Sequence, residues 1–353
     1  MISDNSQLLK PESALIAMSG GVDSTVAAVL MQREGALCAG ATMKVFAGGD
    51  KTVADAKAVA AQYNIPFFEF DFTKQFAEHV INPFVSDYRR GFTPNPCVVC
   101  NKYLKFGIFM DKAIEMGKDC IVTGHYVQTE CDANGRYILK KGIDSSKDQS
   151  YVLYSLTQKQ LAYARFPLGK LTKAQAREIA TEAGYENASK SESQDICFIP
   201  DGDYMSFINE YTGESQQKGK FIDTNGNYLG ESKGISSYTI GQRRGLGLSM
   251  PHPPYVVEIH PEENTIVVGT EDMLYSKTLI AKNINLIPLD RLEASIKAQV
   301  KIRYSDPGHS ATVHQTDDDT IEIEFDEPQR AITKGQAAVI YDGDVVLGGG
   351  TIT

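Results

Sequence analysis

In the first part of the chain, two hydrophobic patterns alternate. One is a short run of consecutive apolar residues, as in a buried strand, and the other is apolar residues spaced as on one face of a helix. Residues 14–18 form a short apolar run that predicts a buried strand, and Val22, Val26 and Val29 follow at the spacing of one helix face. Further strands are predicted at 37–46, 67–70 and 120–124, and further helices at 54–63 and 102–116. This alternation is typical of a parallel, doubly wound α/β sheet.

Beyond about residue 210 the hydrophobic pattern changes to short strands separated by turns. Asn225-Gly226 lies within 221–230 and predicts a hairpin, while 255–268 predicts a second hairpin that turns at 261–264. Later strands are predicted at 296–304, 311–314, 320–325 and 337–341. A small β barrel would close this last set of strands.

Length and pattern together predict three domains, because 353 residues exceed what one hydrophobic core usually organises. We expect an α/β domain at 1–205, a small mainly-β central domain at 206–275 and a C-terminal β barrel at 276–353. No stretch approaches the ~20 apolar residues of a membrane span, and residues 1–11 are polar rather than signal-like. The sequence therefore predicts a soluble, cytoplasmic protein without a membrane partner.

Net charge argues at first against a nucleic-acid partner. The chain carries a formal charge of -10, whereas Lys and Arg contacts to phosphates supply most of the affinity in such complexes. Basic residues nevertheless gather at Arg89-Arg90, Lys102 and Lys105, Lys140-Lys141 with Lys147, Arg243-Arg244, and Lys301 with Arg303. Charge alone favours solvated faces for these clusters, so a more specific signal has to identify the partner.

The segment Ser-Gly-Gly-Val-Asp-Ser at 19–24 falls between the first predicted strand and the first predicted helix. Gly20 and Gly21 have no side chains, so a pyrophosphate could approach the peptide N–H groups, and the positive end of the helix would face the same anion. Ser19 and Ser24 add hydroxyl donors. GxxxxGK[ST] and GxGxxG spacings are absent, which weakens the ordinary triphosphatase and dehydrogenase interpretations. The simpler alternative is a tight turn without a ligand.

Two cysteine segments narrow the chemistry. In the first, Pro94 and Pro96 predict an extended chain before a helix that begins near Cys100. The helix N-terminus, with Lys102 and Lys105, would favour the thiolate of Cys100. The second segment, 193–198, places Cys197 in an apolar run.

The six cysteines are irregularly spaced, which indicates reduced thiols rather than a secreted disulfide framework. Cys38, Cys120 and Cys131 lack comparable surroundings and are interpreted as packing or incidental thiols. Cys97 and Cys100 could be half of a zinc site or a redox pair, but no second CxxC or paired histidines appear at zinc-finger spacing. A metal centre is therefore the weaker interpretation.

At these residues the sequence resembles the pyrophosphatase-loop ATP enzymes, whose SGGxDS signature cleaves ATP between the α and β phosphates. Across nearly the whole chain it is more closely similar to the bacterial tRNA-specific 2-thiouridylases. The shared segments are SGGVDS at 19–24, TPNP at 93–96, CNK at 100–102, KF at 105–106, GHY at 124–126, KDQSY at 147–151, SQDICFI at 193–199, TIGQRRGLG at 239–247 and RY at 303–304.

The resemblance implies an adenine nucleotide hydrolase-like α/β domain and sulfur insertion at position 2 of the wobble uridine of tRNA. A uracil carbonyl oxygen is a poor leaving group, whereas an adenylated oxygen leaves as AMP. ATP and Mg²⁺ are the implied activating pair, and the loop N–H groups and the metal would meet the developing charge. The implied acceptors are glutamate, glutamine and lysine tRNAs, and the implied persulfide donor is a sulfur relay protein or a cysteine desulfurase.

The same resemblance gives particular residues expected roles. Cys197 is similar to the cysteine that carries the persulfide sulfur, and Cys100 to the one that helps release it, leaving a transient Cys100–Cys197 disulfide. The expected ATP contacts are Ala17, Met18, Ser19, Gly20, Gly21, Val22, Asp23, Ser24, Met43 and Gly124. The expected neighbours of the target base are Asn95, Pro96 and Cys97, and the expected tRNA contacts are Lys147, Asp148, Gln149, Arg303 and Tyr304.

Cys97 departs from the family, whose members often have aspartate there as a candidate acid or base. Its role stays open, and we expect Cys97 to be dispensable where Cys100 and Cys197 are not. His125 could orient a phosphate or the metal, or be a structural residue. The rival functions are another SGGxDS enzyme, such as a GMP synthetase, argininosuccinate synthetase or tRNA lysidine synthetase, and a non-catalytic sulfur carrier or tRNA-binding protein.

Overall fold

The computed structural model describes residues 11–46, 49–185 and 196–353. Its strands are β1 Ser13–Ala17, β2 Leu37–Lys44, β3 Phe67–Asp71, β4 Cys120–Val122, β5 Val127–Cys131, β6 Tyr137–Lys141, β7 Ala164–Arg165, β8 Gly219–Asp223, β9 Tyr228–Ser232, β10 Tyr255–His260, β11 Thr265–Gly269, β12 Tyr275–Leu286, β13 Ile296–Lys301, β14 His309–Gln315, β15 Thr320–Arg330, β16 Ala337–Asp342 and β17 Val345–Ile352.

The helices of the described residues are α1 Val22–Arg33, α2 Asp50–Gln62, α3 Thr73–Phe76, α4 Asn82–Arg89, α5 Pro96–Cys100, α6 Phe109–Glu115, α7 Gln158–Tyr163, α8 Lys173–Glu182 and α9 Tyr204–Thr212. Two π-helical segments, Ala77–Ile81 and Asn101–Ile108, join α3 to α4 and α5 to α6. Short 3₁₀ turns lie at Ser150–Leu153, Pro167–Lys170, Ile235–Ser237 and Glu271–Leu274. None of these helices is both long enough and apolar enough to cross a membrane.

The first sheet is the predicted parallel, doubly wound sheet, with strand order β3-β2-β1-β4-β7 and parallel pairing throughout. Successive residues of β1 face opposite sides: Leu15 packs in one hydrophobic cluster, and Ala14 and Ile16 pack in another. All three are fully buried. A central strand covered on both faces has to be apolar at every position, which explains why 14–18 reads as an uninterrupted apolar run.

The central segment contains both predicted hairpins. β8 pairs antiparallel with β9 around the Asn225-Gly226 turn, and β10 pairs antiparallel with β11. β11 then runs parallel to β8, which joins the two hairpins into one four-stranded sheet of order β10-β11-β8-β9. The turn forms where predicted because Gly226 takes a φ of +84°, a value that favours glycine.

The C-terminal strands form the predicted barrel, which closes through the antiparallel pairing of β12 with β17. One feature was not predicted. The β5–β6 hairpin, which the chain supplies well before the barrel, joins the barrel sheet where β6 pairs with β17. The first part of the chain therefore contributes two strands to the barrel sheet, which is separate from the parallel sheet. The domain edges at 205 and 275 stay predictions.

The helix after the proline segment begins earlier than the sequence predicted. Asn95 caps it by accepting a hydrogen bond from the Val98 N–H at 3.4 Å, and α5 starts at Pro96 rather than near Cys100. Pro96 suits the first helical position, because its missing N–H would have no partner there. The helix continues through the π segment and α6, so Cys100 lies inside it and not at its N-terminus.

Candidate functional site

A cavity of about 210 Å³ opens at the carboxyl ends of the parallel strands, next to the glycine turn. β1 lies between β2 and β4, so strand order reverses there, which is the usual ligand position in an open α/β sheet. Of the expected ATP contacts, those that line the cavity are Ala17, Met18, Ser19, Asp23, Ser24, Met43 and Gly124. The other lining residues are Ala41, Lys105, Thr123, His125 and Gln149.

Hydroxyl groups hold the loop between β1 and α1 in one shape. The Ser24 hydroxyl accepts from the Ser19 N–H at 3.2 Å and donates to the Gly21 carbonyl at 3.0 Å. The Thr25 hydroxyl donates to the same carbonyl at 2.9 Å. Gly21 caps α1 without a side-chain hydrogen bond, which leaves the first-turn N–H groups available to an anion.

Two glycines are required by close packing around this loop. Gly20 has a φ of +71°, and an added Cβ would lie 2.5 Å from the Asp55 Cβ and 2.8 Å from the Ala56 nitrogen. At Gly124 an added Cβ would lie 2.8 Å from the Asp23 carbonyl carbon. Gly20, Gly21 and Val22 do not line the cavity, so their contribution to the expected site is the shape of the loop.

Asp23 is anchored from the far side of the domain. The Lys173 ammonium donates to both carboxylate oxygens of Asp23, at 2.7 and 2.9 Å, and the Tyr126 hydroxyl donates at 2.8 Å. Lys173 is buried at 8% exposure. This pair ties the glycine loop to α8, and removal of either partner would leave a poorly solvated charge.

The cavity side chains offer few ligands to Mg²⁺. Within the described ranges no group of three His, Cys, Asp or Glu residues could hold a metal ion. Asp23 is the one carboxylate among the cavity residues, and it is already bonded to Lys173. These residues do not form a magnesium site by themselves, and Mg²⁺ usually binds through substrate phosphates with only one or two carboxylates.

His125 lies in the cavity wall and is buried. Its Nδ1 is 2.8 Å from the Thr123 hydroxyl. Burial, with a smaller effect from the Lys105 charge, holds the pKa of His125 well below its usual range. The imidazole is therefore neutral at physiological pH, so it would meet a phosphate as a hydrogen-bonding group and not as a cation.

Three thiols from two distant parts of the chain meet beside this cavity. Cys97, Cys100 and Cys197 lie close enough that ionisation of one raises the pKa of a neighbouring thiol, and the Lys105 charge lowers the pKa of all three. Phe198 anchors the second segment, with its ring 5.4 Å from the rings of both Phe76 and Phe84. Cys100 packs against the same hydrophobic cluster. All three residues are free thiols.

The prediction that the helix N-terminus favours the Cys100 thiolate is wrong for the free protein. Burial raises the pKa of Cys100 to about 12, and the opposing effect of Lys105 is smaller. Burial also raises the pKa of Cys97 and Cys197, although both residues keep exposed surface. Helix-end effects fade within the first turn, and Cys100 lies beyond it. Desolvation therefore dominates, and the thiols are protonated at rest.

The segment expected around the target base is fixed by the barrel. The Thr93 N–H donates to the Lys334 carbonyl at 2.9 Å, and the Gln336 amide donates to the Thr93 carbonyl at 2.8 Å. Asn95 caps the helix, Pro96 is buried, and Cys97 is exposed. The segment expected around the target base is therefore held by the barrel at Thr93 and continues directly into Cys97, one of the three thiols.

The residues expected to contact tRNA fall in two places. Asp148 and Tyr304 line a second cavity of about 590 Å³ between the β5–β6 side and the barrel. The Tyr304 hydroxyl donates to the Asp148 carbonyl at 3.2 Å, and 48% of Tyr304 is exposed. Lys147 lies on the same loop, with its N–H bonded to the Asp144 carbonyl. Gln149 instead lines the first cavity, beside the glycine turn, which is named the nucleotide cavity after the ATP contacts expected there. Its side chain accepts from the Tyr126 N–H at 3.0 Å.

Arg303 differs most from its expected role. One guanidinium nitrogen donates to the carbonyls of Arg330, at 2.5 Å, and Ala331, at 2.9 Å. These bonds hold the barrel rim and occupy part of the group that would bind a phosphate. The motif residues 193–195 lie outside the described residues, as does most of the polar start of the chain.

Sequence reasoning missed several members of the nucleotide cavity. His125 was expected at a phosphate or the metal, or as a structural residue. Lys105 was expected in a basic cluster and beside the thiols, but not in this cavity. Thr123 follows the end of β4 and Ala41 lies within β2, and neither residue carries a distinctive sequence signal. Lys173 belongs to an ordinary capped helix, and nothing in its sequence indicates a bond to Asp23.

Three domain families match the chain in succession. The tRNA methyl transferase HUP domain matches residues 12–201, the tRNA methyl transferase PRC-barrel domain matches 205–270, and the aminomethyltransferase beta-barrel domain matches 276–352. The first match alone spans more than half of the chain.

Three relatives are similar to the chain over almost their full length. The tRNA-specific 2-thiouridylase MnmA of Clostridioides difficile (strain 630) is 46% identical, over 97% of this chain and 98% of the relative. The enzyme of the same name from Halothermothrix orenii is 44% identical, over 97% and 99%. The tRNA-specific 2-thiouridylase MnmA 2 of Thermoanaerobacter sp. (strain X514) is 47% identical, over 96% of both chains.

Proposed function

The chain belongs to the tRNA-specific 2-thiouridylase family, and from that membership we propose how its residues carry out the reaction. The enzyme is an ATP-dependent sulfurtransferase that converts uridine in tRNA to 2-thiouridine. The observation that carries the proposal is the meeting of a phosphate-type glycine loop with thiols from two distant segments around Lys105.

The first half of the proposed reaction is adenylation at the glycine loop. The 2-oxygen of the wobble uridine attacks the α-phosphorus of ATP, and pyrophosphate leaves. The first-turn N–H groups of α1 and the hydroxyls of Ser19 and Ser24 would meet the phosphate charge. Mg²⁺ would arrive with the ATP phosphates. The Asp23–Lys173 pair keeps the loop in the shape that binding requires.

The second half uses the thiols. The terminal sulfur of a persulfide on Cys197 attacks carbon 2, and AMP leaves with the former carbonyl oxygen. The Cys100 thiolate then attacks the Cys197 sulfur, which releases 2-thiouridine and leaves a Cys100–Cys197 disulfide. A dithiol reductant restores both thiols. Burial raises the pKa of Cys100 to about 12, so this thiol is protonated at rest and has to lose its proton to solvent before it attacks.

The tRNA contacts are proposed from the second cavity and the segment near the thiols. The wobble base has to leave the anticodon stack to reach carbon 2, and Asn95, Pro96 and Cys97 would surround it. Lys147, Asp148 and Tyr304 would bind the surrounding RNA, with the exposed Tyr304 ring as a stacking face. Arg303 would hold the rim of the barrel in shape rather than bind a phosphate. Gln149 would contact ATP in the nucleotide cavity.

Glutamate, glutamine and lysine tRNAs remain the proposed acceptors. A relay protein or a cysteine desulfurase remains the proposed donor, and the cytoplasm the proposed location. The exposed surface of Cys197 supports direct delivery of a persulfide sulfur from another protein.

The proposal is tested with unmodified glutamate tRNA, ATP, Mg²⁺ and a protein persulfide donor, followed by nucleoside mass analysis. We expect sulfur to replace oxygen on the wobble uridine, with one AMP formed for each 2-thiouridine. Cys97→Ser should keep this activity to within about twofold, because serine is similar in size and Cys97 forms no bond to sulfur in the proposed reaction. Methylated uridine, or AMP formed without tRNA, would assign the chain to different chemistry.

A further inference from the structure

Lys105 lies at the nucleotide cavity and close enough to the thiols to affect their ionisation. The side chain is half-buried and lines the nucleotide cavity together with Asp23 and His125. Its charge also acts on Cys97, Cys100 and Cys197. Among the described residues that line the cavity, Lys105 is the one Lys or Arg, and burial lowers the pKa of His125 so that this residue is neutral.

The π-helical segment explains how one helix presents both a thiol and this cation. Lys105 lies within Asn101–Ile108, where the Phe109 N–H donates to the Leu104 carbonyl five residues back. In a regular α-helix, residues five apart lie about 140° apart around the axis, so Cys100 and Lys105 would face different sides. The wider π turn brings residues five apart toward one side, and such turns are frequent at functional sites.

The charges around Lys105 leave it free to meet an anion. In the part of the chain that the structure describes, no carboxylate lies within ion-pair distance of its ammonium, and Asp23 is bonded to Lys173 at 2.7 Å. A half-buried cation without a counter-ion is costly, so its position favours an anionic ligand. The candidates beside it are the nucleotide phosphates and an ionised sulfur.

We propose that Lys105 is one cation shared by the two half-reactions. Its ammonium faces the α-phosphate while the uridine oxygen attacks, and it then stabilises the anionic sulfur once AMP departs. This inference rests on the proposed function, and it extends that function by naming the group that couples nucleotide chemistry to thiol ionisation. A single cation can serve both steps because the two negative charges appear one after the other.

The test compares Lys105→Met with Lys105→Arg. Lys112→Met is the matched control, because Lys112 lies on the same continuous helix and pairs with Glu115 at 2.7 Å. Two readouts use the free protein without tRNA: ATP affinity by calorimetry, and the pH profile of iodoacetamide alkylation of Cys100 and Cys197 by peptide mass analysis. Thermal unfolding checks the fold, and Lys105→Gln replaces the Met variant if that protein melts early.

We expect Lys105→Met to weaken ATP binding by about tenfold, the effect of one lost charge contact, and to move the alkylation profile of both thiols to higher pH. Lys105→Arg should recover most of both effects, and Lys112→Met should match the wild type. Unchanged readouts, or a change in only one of them, would overturn the shared role. Because neither readout needs thiolation, failure of the proposed function would show separately, as wild-type protein that makes no 2-thiouridine.

Discussion

The nucleotide cavity and the thiol cluster are neighbours, but the chain builds them in opposite ways. The cavity rests on a continuous strand, turn and helix, whose hydroxyls bond to one another within six residues. The thiol cluster joins residues separated by about a hundred positions, and it is held by packing rather than by hydrogen bonds among the thiols. Local sequence can specify a phosphate site, whereas a site for sulfur chemistry depends on the whole fold.

The two regions also differ in electrostatics at rest. The cavity offers N–H donors and a cation to an anion, while burial raises the pKa of the neighbouring thiols and keeps them neutral. Adenylation can therefore begin before any thiolate exists. A substitution confined to one region should therefore impair one half-reaction and leave the other intact.

The largest effect is expected from Cys100→Ser and Cys197→Ser. Each variant should lose persulfide-dependent thiolation entirely while it retains tRNA-dependent pyrophosphate release, because the glycine loop is untouched. Rapid-quench measurement of pyrophosphate and 2-thiouridine in the same sample checks both halves. Loss of pyrophosphate release would mean that the two regions do not act independently.

Gly20→Ala should damage the other region. The new Cβ would meet Asp55 and Ala56 at 2.5 and 2.8 Å, and a resulting loop shift of about 1 Å would slow adenylation on the order of a hundredfold. Gly117→Ala is the control, since Gly117 has a similar φ of +66° but nothing within 4 Å. That control should cost only the left-handed strain of about 1–2 kcal/mol in unfolding free energy. Equal adenylation rates in the two variants would contradict the packing argument.

A smaller effect is expected at the second cavity. Tyr304→Ala should weaken tRNA binding by about 1–3 kcal/mol if the ring stacks on a base. Adenylation measured at saturating tRNA should change little. Tyr275→Ala is a matched control, because Tyr275 is 49% exposed and Tyr304 is 48% exposed. Filter binding with both variants decides whether exposure alone accounts for any loss.

The smallest effect concerns pH. The folded protein holds the Cys100 proton up to a pKa of about 12, above the ordinary value of 9.0, so this burial contributes stability below pH 9 that is lost as pH rises toward 12. Alkylation of Cys100 in the free protein should therefore keep rising beyond pH 9, whereas the urea-unfolded chain should level off near it. If alkylation of the folded protein instead reached a plateau near pH 8, Cys100 would be a thiolate at neutral pH, as the position near a helix N-terminus predicts.

The contrast between the regions also explains what sequence could predict. The strand before Ser19, the glycine turn and the Asn225-Gly226 hairpin were all predicted correctly, because local periodicity and backbone freedom determine them. The β5–β6 hairpin joined the barrel instead, since β6 finds its partner only when the whole chain folds. The early start of α5 was missed because Pro96 was interpreted as a residue that delays a helix, although it also suits a first helical position.

Side-chain roles were also predicted better in the nucleotide cavity than in the thiol cluster. Seven of the ten expected ATP contacts line the cavity, but Lys105 reaches it only through the π segment, whose register no sequence period reveals. The pKa of Cys100 was predicted in the wrong direction, because proximity to Lys105 is visible in the sequence and the surrounding burial is not.

The most direct test of the account is the mass of the protein after one turnover with a Cys197 persulfide, tRNA and ATP, in the absence of reductant. We predict that one Cys100–Cys197 disulfide forms for each 2-thiouridine, identified by peptide mapping, and that neither forms without ATP. Formation of 2-thiouridine with Cys100 still reduced, or with Cys197 joined to Cys97 instead, would contradict the proposed partnership of the two regions.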